Sequence, residues 1–597
     1  MNGYKKNYHL ERKFREFSDM RDLLRESAGK FGSRTAFVTK RPNPDDPKKP
    51  FYINTTYADM FREIQYLGTA LWKLGYGGER FALIGENSYK WVLSYCTTAC
   101  GLGVLIPLDK LLHERELEGL LQRSRTKVIF CDKKHYATIL SLINRGETDV
   151  ELMVGLDFDP AEEEQRGADR LQAKTAFLDA LLVRGKEALQ GGCRSFVDAV
   201  IDRDALALIV FTSGTTSKSK GVMLSQRNLM TVNYNMNLEE YFTPDDVNLQ
   251  ILPLHHVYGM GGLTTFMSQG MKTAFCDGLK YININLKEYG VSVLLTVPLL
   301  LEAIYKRIMK TAEKQGMTKK IHHALRLCAY AEKMGLNIRR RVFSPIIREL
   351  GGRMRFIING AAALDPKVAK GMNDFGILTV QGYGLTETAP TIAAESYRYL
   401  RAGSCGRVLQ NIEARIVDPD ENGIGELVVR GDNVMLGYYD DPESTDAVLV
   451  NGWLHTNDFA SFDADGYLWI AGRKNNVIVM KNGKNVFPEE IETLINNLPY
   501  VTESMVFSMN KSTDVVLWVK VVVDPDFMKE KGMSREDMEG MFDADLDAIN
   551  KTLPVYKMVK HFLLSDRPTI KNTSQKTKRK EELAQIMEEL RERGIKK

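Results

Sequence analysis

The stretch Ala205–Asn228, ALALIVFTSGTTSKSKGVMLSQRN, joins an apolar run to a loop of hydroxyl, glycine and lysine residues. The run ends at Phe211, and a short apolar run bounded by a loop is typical of a buried β-strand. The residues that follow, Thr212–Gly221, offer hydroxyls and backbone N–H groups beside lysines, which a polyphosphate requires. No Gly-Lys-Ser/Thr follows at the spacing of a Walker A loop, so that motif is excluded. A Ser/Thr/Gly-rich surface turn is the alternative for this segment taken alone.

Outward from this stretch, short apolar runs alternate with helical patterns through the first 400 residues. The runs include RFALIGEN, GVLIPL, KVIFC, SVLLTVP, RFIIN and ILTVQ. One helical segment, Thr55–Gly75, begins at a threonine cap and places Met60, Ile64, Leu67 and Leu71 on one face. Strand–helix alternation of this kind predicts parallel, doubly wound α/β layers.

The pattern changes after about Arg401, where short strands are separated by Gly, Asn-Gly and Asp-Gly turns. Such turns are typical of antiparallel hairpins. From Lys474 to the C-terminus, the strand-like runs ESMVFSM and VVLWVKVVV alternate with helical patterns, which predicts a small α+β unit. The chain is therefore predicted to divide into residues 1–400, 401–473 and 474–597.

Composition excludes several classes of protein. Of the 597 residues, 44% are hydrophobic and 26% are charged, which excludes a disordered or fibrous chain. The net charge of +4 is too small for a protein whose main partner is nucleic acid. The seven cysteines show no paired metal-ligand spacing, which favours free thiols in a reducing compartment. No targeting segment or membrane-spanning run is recognisable, so we expect a cytoplasmic protein.

Two further motifs accompany the Thr212–Gly221 loop. Gln381–Thr388, QGYGLTET, follows a strand and combines an aromatic ring, two glycines and a hydroxyl–carboxylate pair. Gly452–Glu492 reads GWLHTNDFASFDADGYLWIAGRKNNVIVMKNGKNVFPEEIE. In order and spacing, the three motifs resemble the adenylate-forming superfamily of acyl-CoA synthetases, peptide-synthetase adenylation domains and luciferases. The resemblance extends from about residue 20 to 580 and implies an AMP-binding domain with a small β-barrel subdomain, followed by a mobile C-terminal lid.

The resemblance also implies residue roles. The ATP or AMP site would consist of the phosphate-loop residues Thr212, Ser213, Gly214, Thr215, Thr216 and Lys220, the small residues Ala361 and Ala362, the aromatic segment Gln381, Gly382, Tyr383 and Gly384, and the ribose partners Asp458 and Arg473. Glu387 would hold Mg²⁺ and Thr386 would contact an α-phosphate or acyl oxygen. Lys576 would neutralise charge between the carboxylate and the α-phosphate during adenylation. His256 would shape the entrance to the carboxylate pocket.

The implied reaction has two steps. ATP and a carboxylic acid give acyl-AMP and pyrophosphate. The C-terminal domain then swings about the hinge residue Asn475, Gly483 borders the pantetheine tunnel, and coenzyme A accepts the acyl group. The chain departs from the family pattern at Ser217 and Ser219, where Gly and Pro are usual, and at Asn457, where Gly is usual. We expect these departures to bear on loop stiffness and turnover rate more than on the class of reaction.

The acid and the acceptor are less constrained by the motifs. The Val297–Glu302 segment and the basic helical insert after it look like those of long-chain fatty acyl-CoA synthetases, so a fatty acid is the first choice of substrate. Transfer to a separate acyl carrier protein and a non-catalytic nucleotide or fatty-acid binding protein are the alternatives. Residues 303–349 contain twelve Lys/Arg and three Glu. That excess predicts either a solvated basic face or a weak peripheral contact with anionic lipid.

Overall fold

The computed structural model describes residues 14–46, 49–158, 174–212, 219–481, 484–511, 514–571 and 577–594. These residues form two compact units. The first unit holds the described residues up to 212, together with 219–413 and 430–452. The second unit holds 414–429 and 453–594. Each unit has hydrophobic clusters of its own.

The elements are numbered here in chain order. The strands are β1 (Thr35–Arg41), β2 (Phe51–Thr56), β3 (Glu79–Ile84), β4 (Gly103–Leu108), β5 (Val128–Cys131), β6 (Leu152–Gly155), β7 (Lys174–Phe177), β8 (Leu206–Thr212), β9 (Lys220–Ser225), β10 (Val247–Gln250), β11 (Lys272–Phe275), β12 (Val293–Thr296), β13 (Phe356–Asn359), β14 (Leu378–Tyr383), β15 (Ala393–Ala394), β16 (Arg407–Val408), β17 (Ile412–Val417), β18 (Gly425–Gly431), β19 (Gly437–Tyr438), β20 (Leu449–Val450), β21 (Trp453–Phe462), β22 (Leu468–Arg473), β23 (Ile478–Val479), β24 (Asn485–Val486), β25 (Val501–Lys511), β26 (Asp514–Val523) and β27 (His561–Ser565). The α-helices are α1 (Met20–Phe31), α2 (Tyr57–Lys73), α3 (Tyr89–Thr97), α4 (Glu114–Ser124), α5 (Lys133–Asn144), α6 (Leu178–Gln190), α7 (Gln226–Glu239), α8 (Val257–Ser268), α9 (Ile282–Tyr289), α10 (Pro298–Lys314), α11 (Thr318–Lys333), α12 (Arg339–Val342), α13 (Ser344–Glu349), α14 (Pro366–Asp374), α15 (Pro442–Val448), α16 (Pro488–Asn496), α17 (Pro525–Lys531), α18 (Arg535–Asn550) and α19 (Arg579–Glu592).

Two large sheets organise the first unit. One has the strand order β16-β15-β14-β13-β12-β10-β11-β1-β2, and its strands from β14 to β1 are parallel. The other has the order β19-β9-β8-β4-β3-β5-β6-β7 and is parallel from β8 to β7. Helices follow most of these strands, as parallel crossovers require. The prediction of doubly wound α/β layers is confirmed.

The helix predicted over Thr55–Gly75 illustrates why the sequence folds in this way. In the structure it spans Tyr57–Lys73, and the Thr56 hydroxyl accepts a hydrogen bond from the backbone N–H of Asp59. All four positions predicted to share a face (Met60, Ile64, Leu67 and Leu71) are buried. Cap and apolar stripe therefore set the start and the orientation of α2.

The second unit contains antiparallel strands followed by an α+β domain. Strands β17, β18, β21 and β22 are neighbours in one sheet, and β25, β26 and β27 form another. The C-terminal helix α19 is anchored by Glu582, which makes a 2.7 Å ion pair with Lys520; both side chains are fully buried. Burial opposes ionisation of Glu582, but hydrogen bonds from Arg567 and Lys520 outweigh it and hold its pKa below the usual range.

Two composition-based expectations can be compared with the structure. The structure describes all seven cysteines and none forms a disulfide; Cys96, Cys100, Cys131 and Cys328 are buried. A search of the described helices finds none with the length and apolar character needed to cross a membrane.

Candidate functional site

The motif residues of the first unit gather at one edge of the nine-stranded sheet. The segments Leu252–His256, Gly360–Ala363 and Gln381–Gly384 lie at the carboxyl ends of β10, β13 and β14. These strands run parallel, so their carboxyl ends face the same side. The chain passes from β10 to β11 on one side and then to β12 on the other, so β10 marks a topological switch point. Ligands of open α/β sheets bind at such a crevice.

The phosphate-loop segment joins two antiparallel strands of the eight-stranded sheet. Thr212 at the end of β8 is paired with Lys220 at the start of β9, and its Oγ1 donates to the Lys220 carbonyl at 3.4 Å. Ser213, Gly214, Thr215 and Thr216 lie outside the described residues. Arg123 on α4 fixes both sides of the segment, because it donates to the Ser219 carbonyl and lies 5.5 Å from the centre of the Phe211 ring.

Tyr438 connects two residues that the sequence assigned to phosphate and metal binding. The Lys220 ammonium lies 4.6 Å from the centre of the Tyr438 ring, within the range of a cation–π contact. The Tyr438 hydroxyl donates a 2.9 Å hydrogen bond to Glu387 Oε1. The pairing of β19 with β9 (Tyr438 opposite Val222) produces this juxtaposition. A cation, an aromatic ring and a carboxylate thus lie in one contact chain beside the phosphate-loop segment.

A short 3₁₀ turn, Thr386–Thr388, presents the predicted metal ligand. The Thr388 hydroxyl closes the turn by accepting from the N–H of Leu385 and donating to its carbonyl, each at 3.0 Å. Gly384 is required just before it, since an added Cβ would lie 1.7 Å from the Pro390 carbonyl oxygen. Within the described residues the Thr386 side chain takes part in no hydrogen bond, so its hydroxyl remains available to a ligand.

Glu387 meets the chemical requirements of a magnesium ligand. It is half-buried, and its carboxylate accepts one hydrogen bond from Tyr438, which leaves lone pairs for a hard cation. The described residues contain no group of three or more His, Cys, Asp or Glu side chains suited to a metal. A single carboxylate fits Mg²⁺, which is commonly held by one or two carboxylates together with substrate phosphates.

Gln381 supports the small-residue segment rather than facing solvent. Its Oε1 accepts from the N–H of Leu364 at 2.8 Å, and its Nε2 donates to the Ser404 carbonyl at 3.0 Å. Ala361 has a φ of +73°, and Ala361 and Ala362 are exposed at the sheet edge. The Gln381 side chain therefore holds a small-residue turn open to ligand, while Gly382 and Tyr383 remain half-buried beside it.

Behind Gln381 lies a buried carboxylate. Glu395 accepts hydrogen bonds from the backbone N–H groups of Gln381 (3.0 Å) and Arg401 (2.7 Å). Burial is the main influence on this group and raises its pKa to about 7, although the two N–H donors oppose the shift. Protonation of Glu395 would weaken the hydrogen bond that it accepts from the backbone of Gln381 in β14.

The His255–His256 turn is held by a residue from another strand end. The Asn87 side chain, after β3, donates to the Leu252 carbonyl at 2.8 Å and accepts from the N–H of Leu254 at 3.1 Å. The two imidazoles are in contact, tilted by 49° to each other with ring centres 4.2 Å apart. Burial, and then the proximity of His256, lower the pKa of His255 to about 3, so this ring is neutral. His256 precedes α8 and is half-buried.

The predicted ribose partners form an ion pair in the second unit. Asp458 and Arg473 are opposite each other on β21 and β22, and Arg473 Nε lies 2.9 Å from Asp458 Oδ1. The Asp458 side chain is 3% exposed, whereas that of Arg473 is 47% exposed. Asn457 has a φ of +56°, a left-handed conformation that Gly adopts freely and Asn tolerates better than most residues. This conformation explains why Asn can replace the usual Gly before Asp458.

The predicted hinge residue, Asn475, also belongs to the second unit. Asn475 is exposed in a 3₁₀ turn, between Lys474, which pairs with Glu426 at 2.8 Å, and Asn476, which donates to Glu489 at 2.6 Å. The predicted catalytic Lys576 and the CoA-binding Gly483 lie outside the described residues. Their roles stay predictions.

The sequence reasoning missed three positioning residues: Tyr438, Arg123 and Asn87. Each acts on a motif far away in the chain; Tyr438 is 51 residues from Glu387, and Arg123 is 96 residues from Ser219. The Gly437-Tyr438-Tyr439 aromatic pair could have drawn attention to Tyr438. Neither Arg123 nor Asn87 lies in a local sequence pattern that would indicate its role.

Comparison with known proteins yields one family. The AMP-binding enzyme family profile matches residues 24–439, and the AMP-binding enzyme C-terminal domain profile matches 475–592. Long chain acyl-CoA synthetase 4 of Arabidopsis thaliana is 25% identical over 557 residues, covering 88% of this chain and 81% of that protein. The chloroplastic long-chain-fatty-acid–[acyl-carrier-protein] ligase AEE15 of the same plant is 26% identical, with 80% and 73% covered. The adenylation domain of a Mycobacterium chelonae carboxylate reductase has a similar fold, with a TM-score of 0.77, 19% identity, and 100% and 93% of the two chains covered.

Proposed function

Because the chain belongs to the AMP-binding enzyme family and is an adenylate-forming carboxylate ligase, we propose that its acid is a long-chain fatty acid and its acceptor coenzyme A. The observation that carries the adenylation step is the Lys220–Tyr438–Glu387 contact chain, which places a cation and a carboxylate beside the phosphate-loop segment. The fatty-acid assignment is supported by likeness to long-chain acyl-CoA synthetases along most of their length.

In the proposed first step, a carboxylate oxygen attacks the α-phosphorus of ATP and the bond to the bridging oxygen breaks, so that pyrophosphate leaves. Lys220 would bind the departing phosphates, and Lys576 would offset the negative charge that builds up at the α-phosphate. Glu387 would hold Mg²⁺, which when bound supplies positive charge to the phosphates. Asp458 and Arg473 would bind the ribose.

In the proposed second step, the thiolate of coenzyme A attacks the acyl carbonyl and AMP leaves. Exposure of Asn475 between two tethered neighbours supports its role as a hinge between these steps. A carrier-protein thiol is the second candidate acceptor, favoured by likeness to the AEE15 ligase.

The test is release of AMP and pyrophosphate with acids from acetate to oleate, with coenzyme A, with an acyl carrier protein, or with neither. We expect turnover only with long-chain acids and coenzyme A. Lys576→Ala should abolish pyrophosphate release but preserve ATP binding, and Lys578→Ala, which alters an exposed lysine paired with Glu581, serves as the control. Turnover with the carrier protein alone would overturn the acceptor assignment, and ATP binding without chemistry for any acid would overturn the ligase.

A further inference from the structure

Helix α11, Thr318–Lys333, has buried apolar residues on one face and exposed apolar residues on the neighbouring face. One face is packed in the core, with Ile321, Cys328 and Ala331 buried. On the other face Leu327, Tyr330 and Met334 are exposed by 55%, 65% and 65%. Their spacing of three and four residues places them in one strip along the helix. This contiguous strip, with an aromatic ring at its centre, differs from the single exposed apolar side chains that are common on protein surfaces.

Basic side chains border this strip on both sides. Lys319, Arg326 and Lys333 recur every seven residues and form a row on one side, while Lys320 lies on the other. All four are exposed, and none makes an ion pair with any residue that the structure describes. These four residues, together with the strip of Leu327, Tyr330 and Met334, are called the α11 outer face.

The α11 outer face carries no carboxylate. The helix contains one acid, Glu332, and its two oxygens each accept a 2.9 Å hydrogen bond from Arg339, which also pairs with Asp374. In α13, Glu349 pairs with Lys287 at 2.9 Å. Glu332 and Glu349 are thus paired with other residues, and the third acid of residues 303–349, Glu313, is exposed before the helix begins. Within the described residues, no carboxylate pairs with any of the four cations of the α11 outer face.

We propose that the α11 outer face docks on an anionic lipid bilayer, with its apolar strip at the level of the acyl chains. Long lysine and arginine side chains can reach phosphate headgroups while their stems stay beside the strip. An acidic protein would satisfy the four cations too. It would, however, need a groove to accept a single convex helix with three protruding apolar side chains, whereas a bilayer accepts such a helix without one. Delivery of the acid substrate through this contact would depend on the proposed function. The contact with the bilayer itself does not depend on it.

The probe is the full chain mixed with vesicles of phosphatidylcholine, alone or with about one third phosphatidylglycerol, followed by flotation. We expect binding to the anionic vesicles only, decreasing as salt rises from about 0.1 to 0.5 M. Arg326→Glu with Lys333→Glu should weaken partitioning by at least about 25-fold, since each basic residue near the surface contributes about fivefold. Leu327→Ser with Tyr330→Ser should weaken it by about tenfold or more even at low salt.

A matched control lies on another exposed face. Helix α6 also presents an apolar side chain beside two basic ones, so Val183→Ser, Arg184→Glu and Lys186→Glu make similar changes elsewhere. This triple variant should bind anionic vesicles like the wild type. A second readout uses Tyr330→Trp, whose added fluorescence should be quenched by lipids with brominated acyl chains.

Four results would overturn the proposal: no binding to anionic vesicles, equal binding to neutral vesicles, equal loss in the α6 control, or no quenching at position 330. Binding of an acidic carrier protein that depends on the α11 outer face, without vesicle binding, would replace the bilayer by a protein partner. Ligase activity on albumin-bound oleate, measured without vesicles, should be the same in all variants. Vesicle binding by a chain that proves inactive on every acid would leave the docking surface standing and reject the proposed function alone.

Discussion

Tyr438→Phe removes one hydroxyl and tests whether the Lys220–Tyr438–Glu387 contact chain serves ATP. The ring that faces Lys220 at 4.6 Å remains, whereas the 2.9 Å hydrogen bond to Glu387 is lost. A hydrogen bond to a charged acceptor contributes about 1.5–3 kcal/mol, which corresponds to about a 10- to 150-fold effect. We expect kcat/KM for ATP to fall within that range and half-saturation by Mg²⁺ to require a higher concentration. Tyr438→Leu, which also removes the cation–π contact, should lose about a further 2- to 30-fold.

The adjacent Tyr439 provides the control. Its hydroxyl accepts a 2.7 Å hydrogen bond from Arg80, and its ring lies 5.1 Å from the same guanidinium. Tyr439→Phe therefore deletes a similar bond that does not involve Glu387. It should lower thermal stability while leaving the Mg²⁺ dependence unchanged. If initial rates of pyrophosphate release show the same ATP and Mg²⁺ dependence in Tyr438→Phe as in the wild type, the assigned role of the contact chain is refuted.

Three further predictions concern groups around the site and the core. Burial raises the pKa of Glu395 to about 7, so the folded state keeps a proton that an ordinary carboxyl releases near 4.5. The free energy of unfolding should therefore fall by up to about 3 kcal/mol as the pH rises from about 4.5 to about 7. Glu395→Gln should flatten that dependence in urea titrations, and an unchanged slope would contradict it. His255→Phe should keep kcat/KM within about threefold with an unaltered pH profile, because the buried ring is neutral and its Nε2, 3.6 Å from Asp109, makes no hydrogen bond within the described residues. Loss of an acidic limb would contradict this. Glu582→Gln should destabilise the second unit by about 3–5 kcal/mol by stranding the Lys520 charge, and Lys520→Met with Glu582→Leu should recover most of the loss in thermal melts.

Local patterns predicted the elements well. The Thr56 cap and the apolar stripe of α2 depend on residues close together in the chain. The runs RFALI, GVLIPL and RFIIN correspond to β3, β4 and β13, because strands buried on both faces of a parallel sheet require continuous apolar runs. Asn457 could be recognised as a departure from the family pattern, but its left-handed φ of +56° became visible only in the structure.

Long-range contacts were not predictable in the same way. Tyr438 reaches Glu387 only because β19 pairs with β9, and a two-residue strand has no periodicity to detect. Gln381 was assigned to the nucleotide from its motif, yet its amide bonds Leu364 and Ser404, partners that no local pattern identifies. The sequence thus identifies motif residues, whereas their support depends on which strands become neighbours.

The most direct measurement follows the carboxylate oxygens. Oleate labelled with oxygen-18 in both carboxylate positions would be incubated with ATP and coenzyme A, and the products analysed by mass spectrometry. Acyl-adenylate chemistry predicts one labelled oxygen in AMP and one in the thioester, because the oxygen that attacks the α-phosphorus leaves with it. Unlabelled AMP, or ADP with labelled phosphate, would contradict adenylation as the central step.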